Sequence, residues 1–116
     1  MEQLKEFMLL FRLNPSHAAP SPEQLLQTQK QWSDFIANIA MQGKLVSTHQ
    51  LGFDGKQITA DYSIKDEINI CQHESMSGNM ILKAPTLERA LQLAKKCPIL
   101  LMGGTIEVRN IIPMNI

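Results

Sequence analysis

Lys5-Glu6-Phe7-Met8-Leu9-Leu10-Phe11-Arg12 sets an uninterrupted apolar run between charged ends. Phe7 to Phe11 is far shorter than the roughly 18 residues of a membrane span, and short apolar runs of this kind read as strands. Because neighbouring strand residues point to opposite faces, this strand offers apolar side chains to both sides of its sheet, as a central strand does.

Downstream, Asn14 to Pro20 carries no periodicity and contains Pro15 and Pro20, which predicts a loop. Ser21-Pro22-Glu23-Gln24 then combines a serine N-cap, proline at the first helical position, an early acid and a Ser-x-x-Gln capping box. Leu25, Trp32, Phe35, Ile36 and Ile39 follow at helical spacing, and Gly43 is a left-handed terminator, giving a helix of about 20 residues and roughly 30 Å. Lys44 to Leu51 reads as a second strand, and Asp54-Gly55 as a type I′ hairpin turn returning through a ragged strand from Gln57 to Ile64. Glu67 to Cys71 alternates again, so the middle section adds one or two strands. Gly78 to Ala84 is a further strand. Thr86 caps a second helix with Leu87, Ala90, Leu91 and Ala94 as its predicted buried stripe, Pro98 ends it, and Thr105 to Ile111 closes the chain's regular structure as a strand.

This order predicts one α+β domain over residues 1–116, a ferredoxin-like split β-α-β with an antiparallel sheet and two helices on one face. Two helices cover one side of such a sheet, yet Phe7 to Phe11 and Met80 to Leu82 are apolar on both. A two-fold partner presenting the same face is the simplest cover, so the expected assembly is a homodimer with sheets face to face.

Composition narrows the function. Eleven Lys+Arg balance eleven Asp+Glu, and aromatics are only 5%, so neither an electrostatic field nor stacking platforms favour nucleic acid or an anionic membrane surface. Glu2, Glu6 and Arg12 are out of place in a secretory signal, and Cys71 and Cys97 read as reduced thiols. The expectation is a soluble cytoplasmic protein without nucleic-acid or membrane partners.

Phe7-Met8-Leu9-Leu10, Ser21-Pro22-Glu23 opening a helix that ends at Gly43, Gly78 leading into Ala84, Ala94 to Cys97-Pro98, and Gly103-Gly104-Thr105-Ile106-Glu107-Val108-Arg109 resemble, in order and spacing, the YCII-related family in its DGPF-type branch. The resemblance spans roughly Lys5 to Ile112. It implies a dimeric α+β barrel of ferredoxin-like subunits, and a pocket with a helix-borne histidine and an acidic residue. Two departures bear on that pocket. Trp32 stands where the family often has the histidine, and indole cannot shuttle a proton; about Gln72-His73-Glu74-Ser75 stands where the branch has Asp-Gly-Pro-Phe.

Candidate catalytic groups are therefore His49 and His73, each near a predicted strand end, with Glu74 to tune His73. The competing reading is of ordinary loop and strand histidines. No metal is expected, because Cys71, His73 and His49 match no ligand spacing, and no cofactor is implied. Glu107 and Arg109, two apart on a strand, share a face; there Arg109 can hold a carboxylate or phosphate, with Glu107 as its resting partner or as a base, or the two form a plain surface pair. Arg12 is a candidate of the same kind, and Trp32 serves the core or lines a pocket. The leading expectation is a homodimer binding a small anionic or aromatic molecule near the sheet–sheet interface; the alternative is a cofactor-free lyase or hydrolase with a histidine acid/base.

Overall fold

The computed structural model describes residues 3–15 and 21–114; residues 16–20 of the expected Asn14–Pro20 loop lie outside them. The elements are β1 (Lys5–Leu13), α1 (Pro22–Met41), β2 (Leu45–Gln50), β3 (Gln57–Ile58), β4 (Ile64–Lys65), β5 (Ser75–Ala84), α2 (Leu87–Ala94), a 3-10 turn (Pro98–Leu100) and β6 (Thr105–Asn110). Four strands form an antiparallel sheet in the order β2-β5-β1-β6, while β3 and β4 pair separately. With β3 and β4 set aside, this is the strand order of a ferredoxin-like fold, and it makes β1 central as the apolar run demands.

Alternation along the strands sorts the two faces. Phe7, Leu9 and Phe11 of β1 and Met80, Leu82 and Ala84 of β5 are buried in one cluster with Phe35 and Ile39 of α1 and Ala90 and Ala94 of α2, so both helices lie on the same face. At the start of α1, Ser21 accepts from the Gln24 amide (3.2 Å) while the Gln24 side chain accepts from the Ser21 amide (3.0 Å), completing the capping box. At its end Gly43 adopts φ +70°, and the Gly43 and Lys44 amides donate to Ala40 and Ile39 in a Schellman motif. Thr86 caps α2 through the Arg89 amide at 3.2 Å.

Several expectations are corrected. Asp54-Gly55 makes no hairpin turn: β3 starts only at Gln57, and the stretch from Gln57 to Ile64, expected as one returning strand, itself folds into the β3–β4 hairpin. Asp61 explains the shift of turn, because its carboxylate accepts from the Ser63 amide (3.1 Å), the Ser63 hydroxyl (2.6 Å) and the Thr59 hydroxyl. Those hydrogen bonds hold its carboxyl down at about pKa 2. Glu67 to Cys71 is not a strand; only Cys71 bridges, to Glu74, around a two-residue turn in which Gln72 (φ 52°) and His73 (φ 67°) are both left-handed. The type I′ turn thus exists, on residues without the usual glycine. On α2, Leu87 and Leu91 are exposed, and on α1 so is Leu25. The short α2 reaches the sheet with its alanines, whose small side chains let the backbones approach.

Candidate functional site

Of the residues singled out in the sequence, Arg12, His49, Glu107 and Arg109 share one face of the sheet, Trp32 lies on the other, and His73 and Glu74 lie at the turn before β5. On the face away from the helices, the strand registers align His49, Asn79, Leu10 and Glu107 in one row across β2, β5, β1 and β6. Ser47, Ile81, Met8 and Arg109 form the next row, and Arg12 pairs with Thr105 beyond Glu107. Glu107 sits between two guanidinium groups, with Arg12 Nη2 at 3.6 Å and Arg109 Nη1 at 3.8 Å. These groups are well solvated and the pairs loose, so the cluster contributes little stability, and both arginines keep donor capacity for a carboxylate or phosphate. Met8, Leu10 and Ile81 are only half-buried between them.

His49 Nδ1 lies 3.2 Å from the Asn79 side-chain oxygen. It is three strand spacings, about 14 Å, from Glu107. Among the described residues neither His49 nor His73 pairs with a carboxylate. His73 is exposed on its turn, and Glu74 instead accepts a 2.8 Å hydrogen bond from the Thr105 hydroxyl, tying β6 to the start of β5. The sequence neighbours His73 and Glu74 thus diverge, because the left-handed turn separates their side chains. Among the described residues no group of three His, Cys, Asp or Glu side chains is arranged to hold a metal.

On the helical face a cavity of about 220 Å³ opens between α1, the end of the sheet and the 3-10 turn. Phe11, Trp32, Ile36, Ile99 and Met102 supply apolar walls, and Thr48, Gln50 and Ser77 line its polar side; His49 touches it only at the sheet, its ring being on the other face beside Asn79. Trp32 meets Phe11 edge-on at 5.5 Å and Phe35 at 6.1 Å, so it both packs and lines the hollow.

A β-bulge shapes this cavity. Phe11 pairs with Gly78 but Arg12 with Met76, leaving Ser77 as the extra residue. Its hydroxyl donates to the Phe11 carbonyl at 3.3 Å. Gly78 follows because a Cβ there would stand 2.5 Å from the His49 carbonyl oxygen. Ile99, Met102 and Ser77 went unremarked as pocket residues, since a bulge and a 3-10 turn leave no periodic signal.

Cys97 is buried in the core, and burial pushes its thiol up to about pKa 11, which leaves it unreactive at neutral pH. No helix among the described residues is long and apolar enough to cross a membrane. No known family's sequence profile matches this chain, and no curated protein matches it.

Proposed function

We propose that the chain is a cytoplasmic homodimer of YCII-like design, with sheets face to face in an α+β barrel, that binds a small aromatic molecule beneath Trp32. The cavity carries this reading, and it lies on the helical face rather than near the sheet–sheet interface expected from the sequence. Cavities of about 150 Å³ hold a benzene ring, so about 220 Å³ suits one or two fused rings, with the polar side formed by Thr48, Gln50 and Ser77 available to a ring substituent. The homodimer is supported by the half-buried Met8, Leu10 and Ile81 on a face that no helix covers. An anionic ligand is the second form of the reading, and the two guanidinium groups flanking Glu107 favour it.

The test is thermal unfolding with indole and benzoate as probes. A ligand at 100 times its Kd stabilises by about 2.7 kcal/mol, a readily measured shift. Indole is expected to stabilise the wild type and to lose its effect in a cavity-filling Ser77→Leu variant. Benzoate stabilisation lost in Arg109→Ala would favour the anionic form. No shift with either probe at millimolar concentration would count against both.

A further inference from the structure

Residues 51–73 leave the sheet between β2 and β5 and return with almost every side chain exposed. Among the described residues, β3 and β4 pack extensively on no other element beyond their mutual pairing. The radius of gyration is 16.0 Å, against about 13 Å for a compact chain of this length. Accessible surface is 8745 Å², against roughly 6,400 Å² for a monomer of this mass. The surplus of about 2,300 Å² exceeds the ~800 Å² that each subunit gives to a standard interface.

The surplus carries apolar groups in a fixed arrangement. Ile58 and Ile64 face each other across the β3–β4 ladder, 76% and 67% exposed, and Tyr62, 90% exposed, lies in the turn that joins the two strands, at φ 70°. The turn is held by the Asp61 hydrogen bonds, and the base by a Lys56–Asp66 ion pair at 3.2 Å and a Gln57 side-chain hydrogen bond to the Glu67 carbonyl at 3.0 Å. A two-stranded hairpin this small is not independently stable in water and needs a surface to pack on. Charge favours a second copy of the chain as the partner. The segment holds Asp54, Asp61, Asp66 and Glu67 against Lys56 and Lys65; since the chain is neutral, the remainder carries the compensating positive charge.

We infer that residues 51–73 form an arm that clasps a second copy of this chain, with Ile58, Tyr62 and Ile64 as its apolar contacts. This rests on the homodimer reading and adds to it an exchanged contact beyond the sheet face. All three side chains are exposed within one chain, so replacing them leaves the fold of the subunit intact.

The experiment compares full-length wild type, an Ile58→Ser/Tyr62→Ser/Ile64→Ser variant and a Leu10→Asp sheet-face variant by sedimentation equilibrium, with circular dichroism as the folding control. The arm variant is expected to raise the dimer Kd at least tenfold while keeping its helix signal. In wild type, amide protection of residues 57–65 is expected to grow with protein concentration. A dimer Kd unchanged by the arm substitutions would overturn the inference and leave the homodimer standing. A wild type monomeric at every concentration would overturn both, whereas a Kd that responds to the arm but not to Leu10→Asp would sustain the arm and reject the sheet face.

Discussion

Gly78→Ala should loosen the cavity and the sheet together. A Cβ at this position would lie 2.5 Å from the His49 carbonyl oxygen and 3.4 Å from Phe11 Cδ2. The first contact is roughly 1 Å inside comfortable van der Waals distance, and its partner is backbone, unable to swing aside as a side chain would. Relief requires β2 to move away from β5, which strains the pairing of His49 with Asn79 and of Gln50 with residue 78. Overpacking of this sort costs about 1–3 kcal/mol. For a domain of this size about 2 kcal/mol lowers Tm by about 6–12 °C. Because β2 carries Thr48, His49 and Gln50, the same shift opens the polar side of the cavity, so the indole response should fall as well. Scanning calorimetry with and without indole measures both effects. Ser77→Ala is the control: it removes one 3.3 Å hydrogen bond and should cost under about 1 kcal/mol. A Gly78→Ala protein melting within 1 °C of wild type would refute the close approach of β2 to β5 and the cavity built on it.

Gln72→Asn with His73→Gly suits the left-handed turn better than the native pair and should raise stability by about 1 kcal/mol in urea titrations; a loss of stability would show that the His73 side chain makes a contact of its own. With a thiol reagent at pH 8, exposed Cys71 should react at once and buried Cys97 only on unfolding, so two fast thiols would contradict the packing around the 3-10 turn. Asp61, held at about pKa 2 when folded and near 3.9 when unfolded, favours its turn fully above the unfolded value and loses that contribution as pH falls from about 4 to 2. In NMR titrations the Ser63 amide should therefore hold its position down to about pH 3, and a midpoint near 4 would contradict the hydrogen bonds to the carboxylate.

Much of the fold was legible because it is written in local chemistry. Ser21-Pro22-Glu23-Gln24 and Gly43 bracket α1 by satisfying its end groups, and the run from Phe7 to Phe11 marks a central strand, since only there are both faces in demand. The middle section was less legible. Asp54-Gly55 has turn chemistry but no flanking strands to join, whereas Asp61 builds a turn through side-chain bonds that leave no hydrophobic period. The type I′ turn at Gln72-His73 runs against residue preference and is held by the Cys71–Glu74 backbone pair at 2.8 and 3.0 Å. As for the site, period-two alternation sufficed to align Glu107 and Arg109, and register alone decided that His49 and Arg12 share their face. The cavity was hidden because it depends on a bulge, a 3-10 turn and the depth to which Trp32 enters the core, none of which spacing encodes.

The proposal of a second copy over the open sheet face is tested most directly by the mass of the full-length chain in solution across the micromolar range. Sedimentation equilibrium should return twice the 13.1 kDa of one chain, falling toward one chain on dilution, with Leu10→Asp or with the arm substitutions. A folded protein of 13.1 kDa at every concentration would contradict the account.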